Sequence, residues 1–140
     1  MVSTVLRVAC AIFAGVCATA HAGDLRVEVR GIGSTEGKIL VALYNKPADF
    51  PGKTYFRAQA YAAQPSGVEV VFKDLPPGDY ALAAFQDKNG NEKLDTNGIG
   101  IPIEPFGFSN DAQGVNGPPR FDDAKFRFGG VTAKQTIELR

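Results

Sequence analysis

The chain has 140 residues, and its 15 basic and 15 acidic side chains give a formal net charge of zero. No stretch is markedly basic, which argues against nucleic-acid binding, because that function needs clustered lysine and arginine. A chain of this length fits one domain that is large enough to build a hydrophobic core.

The N-terminal 22 residues have the three parts of a secretory signal peptide. Arg7 supplies a positive charge, an apolar run follows, and Ala20-His21-Ala22 matches the A-x-A cleavage pattern. The run is shorter than the roughly 20 apolar residues that cross a bilayer, so a membrane anchor is disfavoured. We therefore predict cleavage after Ala22, a periplasmic or secreted protein, and a single domain over residues 23–140 without a later membrane span.

Cleavage at this position would remove both cysteines and the only histidine, which are Cys10, Cys17 and His21. A domain without thiol or imidazole groups cannot use cysteine or serine–histidine catalysis in its usual form. The same loss excludes a typical zinc or copper site, which needs sulfur or imidazole ligands. Oxygen ligands remain, and these suit calcium or magnesium.

The first half of the predicted domain alternates apolar and polar residues, as half-buried strands do. Residues 25–29 place leucine and two valines on one face, and residues 38–44 form a nearly continuous apolar run that is typical of a central strand. Residues 55–61 form a strand or an irregular edge. A third clear strand covers residues 68–72.

The sequence L-P-P-G-D-Y at residues 75–80 indicates a turn, because its prolines stop strand pairing and its glycine permits a tight reversal. Its spacing resembles the tyrosine corner of Greek-key sandwiches, in which a tyrosine hydroxyl bonds to the backbone just upstream. We therefore give Tyr80 a structural role and predict a strand over residues 80–86.

The chain returns to strands near its C-terminus. Alternation predicts a strand over residues 124–128 with Phe126 and Phe128 facing inward, a hairpin turn at residues 129–130 and a last strand over residues 131–139. No helix of ordinary length is indicated. About seven strands predict an all-β fold, an antiparallel two-sheet Greek-key sandwich of the immunoglobulin-like kind.

Between these regions lies a polar insertion, residues 87–122, that is rich in glycine, asparagine, proline and aspartate. Most loops have about 4–6 residues, and much longer ones are usually functional or disordered. The insertion carries large apolar residues that a solvated tail would not retain: Ile99, Ile101, Phe106, Phe108 and Phe121. We predict an ordered loop that packs on the sandwich.

The best candidate site is the start of this insertion, where oxygen-bearing side chains recur at alternate positions. Positions one, three, five and nine are Asp87, Asn89, Asn91 and Asp95, and the backbone carbonyl of Lys93 stands at position seven. This spacing lets a curled loop direct its oxygens at one calcium ion. The match to an EF-hand is partial, because glutamate replaces the glycine of position six and glycine replaces the glutamate of position twelve. A turn whose side chains bond their own backbone is the alternative.

A second candidate is Glu104, which lies between apolar residues. A buried carboxylate needs partners, because burying an unpaired charge is costly. The favoured interpretation is that Glu104 accepts backbone N–H bonds and holds the loop shut. It is otherwise a further calcium ligand, or a general acid or base beside an aspartate.

Several runs in this chain resemble the bacterial domain-of-unknown-function family 2141, and the resemblance covers residues 25–139. The runs are D-x-N-x-N-x-x-x-D from Asp87, G-F-S-N from Gly107, G-P-P-x-F from Gly117 and L-P-P-G-x-Y from Leu75. The resemblance implies an exported bacterial protein without an assigned activity. The last run is also similar to turns of transthyretin-like and carboxypeptidase-regulatory sandwiches, which implies such a fold and names no substrate.

Three functions are compatible with these features. The leading hypothesis is a non-enzymatic exported β-sandwich that a calcium ion stabilises and that presents the 87–122 loop to a protein or small ligand. The alternative is a hydrolase that uses Glu104 and an aspartate as its only catalytic groups. A structural or adhesive module is the third, and it predicts an exposed apolar patch or an open sheet edge.

Overall fold

The computed structural model of the protein describes residues 21–140. Most of the predicted signal peptide and both cysteines lie outside the described residues, so cleavage after Ala22 stays a prediction. The described part contains eight strands, one single-turn 3₁₀ segment and one short helix. Their bounds are β1 Gly23–Arg30, β2 Lys38–Tyr44, β3 Arg57–Ala62, β4 Val68–Leu75, β5 Gly78–Asp87, β6 Phe106–Phe108, the 3₁₀ turn Ser109–Asp111, α1 Phe121–Ala124, β7 Phe126–Phe128 and β8 Ala133–Glu138. Within residues 21–140, no helix is long and apolar enough to cross a membrane.

The first sheet has three strands in the order β4-β1-β8. β1 pairs antiparallel with β4, where Val27 lies opposite Val70, and parallel with β8, where Val27 lies opposite Gln135. The predicted all-β, two-sheet architecture is confirmed, and its strand pairs are antiparallel as predicted except for the parallel β1–β8 pair. The parallel pairing arises because β8 follows a crossover from the other sheet rather than a hairpin.

The second sheet has the order β3-β2-β5-β6, so β2 is central, as its apolar sequence predicts. β7 also pairs with β5, at Gly78–Tyr80. The predicted hairpin at residues 129–130 is wrong, because β7 and β8 lie in different sheets and the two glycines carry the chain between them. The strand predicted from residue 124 begins at Phe126 instead, since Ala124 ends α1.

The hydrophobic core lies between the two sheets and follows the predicted alternation. Its fully buried side chains include Leu25, Val27 and Val29 of β1, Ile39, Val41 and Leu43 of β2, and Phe72, Leu82 and Phe128. Burial of each such side chain contributes about 1.5–3 kcal/mol. The residues that alternate with them on β1 point outward, which fixes the register of the sheet.

Tyr80 forms the predicted corner at the start of β5. Its hydroxyl donates to the carbonyl of Pro76 at 2.7 Å, and its ring packs beside Phe128 in the core. Burial raises the pKa of the Tyr80 hydroxyl. The structural role given to Tyr80 from its sequence spacing is confirmed.

Side-chain and backbone bonds close the two long sides of the sandwich. On one side Phe106 and Arg140 exchange backbone hydrogen bonds at 3.2 and 3.0 Å, which ties β6 to the end of the chain after β8. On the other side the side chain of Arg57 donates to the carbonyl of Lys73, and that of Gln59 donates to Val71 at 2.7 Å. Both sides are therefore held by polar contacts between the sheets.

A second, smaller apolar cluster covers the outer face of the five-stranded sheet. It contains Tyr44, Ala81, Phe121 and Ala124, and the half-buried Phe50 and Phe108 pack against it. The rings of Phe50 and Phe121 meet edge to face at 6.0 Å. The second half of the insertion thus packs on the sandwich, as predicted, but it is not all loop, because Phe106–Phe108 form strand β6 of the sheet.

The first half of the insertion differs from the prediction. Ile99 and Ile101 were expected to pack against the sandwich, but they are 81% and 55% exposed. The physical reason is that residues 95–103 close on themselves as a hairpin, which lifts these side chains away from the sheet. For these two residues, an apolar side chain is therefore not a sign of burial.

Candidate functional site

The site begins where β5 ends, at the buried side chain of Asp87. This side chain is 1% exposed, and its Oδ1 accepts the backbone N–H groups of Gly90 and Asn91 at 2.9 and 3.2 Å. Its Oδ2 accepts the N–H of Glu92 at 2.9 Å. One carboxylate therefore curls the chain immediately after the strand, because it satisfies three consecutive backbone donors.

Asn89, Asn91 and Asp95 come together above this turn. The Nδ2 groups of Asn89 and Asn91 both donate to the Asp95 carboxylate, the second at 2.7 Å. The amide oxygens accept backbone bonds two residues on, Asn89 from Asn91 at 3.1 Å and Asn91 from Lys93 at 3.0 Å. The alternating spacing thus produces a compact loop of polar side chains, which we call the Asp87–Asp95 loop.

Glu104 fastens both ends of this loop. It is 6% exposed, and its Oε1 and Oε2 accept the backbone N–H groups of Lys88 and Asp95 at 2.9 and 3.0 Å. This is the favoured structural interpretation of Glu104, in which a buried carboxylate is satisfied by backbone donors. Because both of its oxygens are engaged in this way, the arrangement gives no support to a role in acid or base catalysis.

Residues 95–103 form a β-hairpin that extends from the loop, and we call it the isoleucine hairpin. The N–H of Ile103 donates to the carbonyl of Asp95 at 2.9 Å, and that of Asn97 donates to Ile101 at 2.8 Å. The Oδ1 of Asn97 accepts the N–H groups of Ile99 and Ile101 at its tip. Ile103 is also exposed, at 65%, so three isoleucines stand out of one ordered hairpin.

Two residues that the sequence analysis did not single out, Gly37 and Gln86, hold the end of β5 where the loop begins. Gly37 has a φ of +68°, and a Cβ there would lie 1.9 Å from the carbonyl oxygen of Asp87. Gln86 is fully buried, and its Nε2 donates to Ser34 and Glu36 in the connection between β1 and β2. A polar residue at an inward position of an alternating strand is the signal that marks Gln86 in the sequence.

The oxygen-bearing side chains of the loop are the predicted calcium ligands, and carboxylate and amide oxygens are the ligand types that calcium takes. Asn89, Asn91 and Asp95 lie together, whereas both oxygens of Asp87 already accept backbone N–H groups. Within residues 21–140, no group of three or more His, Cys, Asp or Glu side chains is arranged to hold a metal ion. Of the remaining predicted ligands, Lys93 lies on the exposed rim of the loop and Glu104 is bonded to backbone.

An eight-stranded sandwich with a loop-and-hairpin insertion on its second sheet defines the class of the protein. The chain belongs to a bacterial family described as "Uncharacterized protein conserved in bacteria (DUF2141)", whose model matches residues 27–136. No curated protein and no solved structure was found to match the chain.

Proposed function

We propose that this protein is an exported, non-enzymatic binding module that presents the isoleucine hairpin to another protein. One observation carries the proposal: Ile99, Ile101 and Ile103 are exposed on an ordered hairpin whose base is fastened by Glu104. Single exposed apolar residues are ordinary on protein surfaces. Three within five residues form a patch of the kind that marks an interaction site.

The energetics favour a protein partner. Full burial of one isoleucine side chain is worth about 1.5–3 kcal/mol, so three of them supply a useful part of a binding free energy. The hairpin is already ordered by its own hydrogen bonds, so little conformational entropy is lost on binding. Two depressions in the surface of residues 21–140, one lined by Val68 and the other by Pro118, include no residue of the hairpin, which favours a protein over a small ligand at this site.

Calcium would stabilise the base of the hairpin in this proposal. The Asp87–Asp95 loop gathers oxygen-bearing side chains that face one another across a few residues, and the predicted export places it where calcium is at millimolar levels. A set with only two carboxylates suits a dissociation constant of about 0.1–1 mM, as in extracellular modules. An ion bound there would replace the contacts that Asn89 and Asn91 now make with Asp95.

Calcium titration followed by calorimetry and thermal unfolding tests the metal part of the proposal. At about 10 mM calcium and a dissociation constant of about 1 mM, binding adds about 1.4 kcal/mol of stability.

Asp95→Ala should abolish the heat and the shift in unfolding temperature. It removes a half-buried ligand while leaving the Asp87 contacts that curl the loop. Asp79→Ala, which removes an exposed carboxylate at the start of β5, far along the strand from the loop, is the matched control and should bind calcium normally. The calcium claim fails if the unaltered protein gives neither heat nor a shift.

Site-specific photo-crosslinking in intact cells tests the presentation of the hairpin. A crosslinker at residue 101 should give an adduct of defined mass, whereas one at Thr136, exposed on β8, should not. Ile99→Ser together with Ile103→Ser should weaken that adduct strongly, because the flanking apolar area is lost. Equal adducts at both positions, or none at residue 101, would show that the hairpin is not the contact surface.

A further inference from the structure

We infer that the protein forms a twofold dimer in which β3 pairs antiparallel with β3 of a second copy, centred on Ala60. β3 ends the five-stranded sheet and pairs only with β2 among the described strands. This inference rests on the free edge of β3 and is independent of the isoleucine hairpin.

The pairing with β2 fixes which backbone groups of β3 are free. Ala63 donates to Gly37, so the odd-numbered residues of β3 bond to β2, and bonding alternates along an antiparallel ladder. Consequently Ala58, Ala60 and Ala62 direct their N–H and C=O groups away from the sheet. All three are exposed, and these backbone groups form no hydrogen bond with another group of residues 21–140.

The β4 edge and the side where β6 meets β8 are covered by the protein itself. The outward carbonyls of β4 at Val71 and Lys73 accept the side chains of Gln59 and Arg57. β6 lies so close to β8 that a Cβ on Gly107 would come within 2.3 Å of the Glu138 carbonyl oxygen. β3 has no such cover within residues 21–140, and an open edge is a template for another strand.

The residues of β3 carry none of the features that normally block an edge. It has no proline, and its one charged side chain, Arg57, turns inward to β4 and lies over the ring of Phe56 at 5.2 Å. The three residues whose backbone groups point away from the sheet are all alanines, and their small side chains leave room for the backbone of a neighbouring strand. The sequence of β3 therefore does not prevent another strand from pairing with this edge.

A second copy fits this edge better than a foreign peptide does. Peptides that add to a sheet gain specificity from pockets for their alternate side chains, and three alanines provide no such pockets. Two copies of β3 are self-complementary. In the dimer, Ala60 lies opposite Ala60 of the second copy, and Ala58 of each copy lies opposite Ala62 of the other. These three residue pairs form about six hydrogen bonds. The two Arg57 side chains then lie about 20 Å apart, so no like charges oppose each other.

Sedimentation velocity over a range of concentrations tests the dimer with three variants. Ala60→Pro removes an outward N–H without touching the ladder to β2, and Ala60→Lys places two like charges opposite each other at the twofold axis. Each should raise the dimer dissociation constant at least about tenfold. Thr136→Lys adds the same charge to an exposed strand position on the other sheet and should leave the dimer unchanged. Circular dichroism of each variant checks that the sandwich is intact.

Amide hydrogen exchange gives an independent readout on the unaltered protein. The N–H groups of Ala58, Ala60 and Ala62 should exchange more slowly at high than at low protein concentration. Those of Gln59 and Tyr61 should not change, because they already bond to β2. A protein that stays monomeric at about 1 mM, where even weak association is populated, overturns the inference. A dimer that both Ala60 substitutions leave intact also overturns it.

Discussion

At the residue scale, the candidate site depends on the contact between one glycine and one backbone carbonyl. Gly37 ends the β1–β2 connection directly beneath Asp87, and it occupies the left-handed region that side chains disfavour. Asp87 in turn holds the N–H groups that curl its loop. The position of the loop is therefore set by a residue 50 positions earlier in the chain.

We predict that Gly37→Ala destabilises the protein by about 2–4 kcal/mol. A Cβ in this conformation costs about 1–2 kcal/mol, and the clash with the Asp87 carbonyl forces a backbone shift. Urea unfolding measures the change. Gly33→Ala, where a Cβ would meet nothing within 4 Å, is the control and should stay within about 0.5 kcal/mol of the unaltered protein. Equal effects of the two substitutions would refute this account of Gly37.

At the element scale, charged side chains on the outer face join the parallel strands β1 and β8. Glu28 of β1 lies 2.9 Å from the Nε of Arg30 and 2.7 Å from the Nζ of Lys134 on β8. Hydrogen bonds from Arg30 and Lys134 lower the pKa of Glu28 from its ordinary value of 4.5 to about 2. The ionised form of Glu28 is therefore favoured in the folded protein.

This shift predicts a specific dependence of stability on pH. A carboxyl whose pKa is lower in the folded state stabilises the protein above pH 4.5, and this contribution is lost as the pH falls towards 2. Glu28→Gln should therefore flatten the loss of stability between those two values, as followed by urea unfolding at stepped pH. The contribution should be modest and should shrink in high salt, because the groups are exposed. An unchanged pH profile in the variant would contradict the assignment.

At the scale of the whole molecule, two apolar clusters lie on opposite faces of the five-stranded sheet. The larger fills the sandwich, and the smaller fastens the second half of the insertion to the outer face. Phe121 is central to the smaller cluster, where it packs against Phe50. The insertion therefore combines a docked half, residues 106–124, with a projecting half, the isoleucine hairpin.

We predict that Phe121→Ala destabilises the protein by about 3–5 kcal/mol, because it empties a well-packed site. Hydrogen exchange should show lost protection in residues 106–124 and retained protection in the three-stranded sheet. Ile99→Ala, also in the insertion but mostly exposed, is the control and should change stability by less than about 0.5 kcal/mol. If Phe121→Ala loosens both sheets equally, the two clusters are one cooperative unit.

Much of this architecture was accessible from the sequence because the signal was local. Alternation predicted β1 and β4 with their inward residues, a nearly continuous apolar run predicted β2, and the proline-glycine turn predicted the Tyr80 corner. The spacing from Asp87 to Asp95 predicted a curled loop, and the apolar surroundings of Glu104 predicted a buried, backbone-bonded carboxylate. Each of these inferences used residues within a few positions of one another.

The predictions that failed concern features that depend on parts of the chain far from the residues on which they were based. Two consecutive glycines fit a hairpin or a crossover equally well, and only the position of β1 makes residues 129–130 a crossover. Hydrophobicity predicted burial for Ile99 and Ile101, but whether their hairpin packs on the sheet depends on the rest of the fold, and both residues are exposed. Neither the residues around Gly37 nor those around Asp87 indicate that these two positions are in contact.

The sequence by itself determined that this is an all-β domain with a polar insertion, because strand period and turn residues are properties of neighbouring positions. It also indicated the oxygen-rich chemistry of the insertion, because residue identity alone sets the available ligands. Tertiary structure decided which edges stay open and which isoleucines face solvent. These outcomes depend on which strands meet, and that is decided by packing across the whole chain rather than by any single segment.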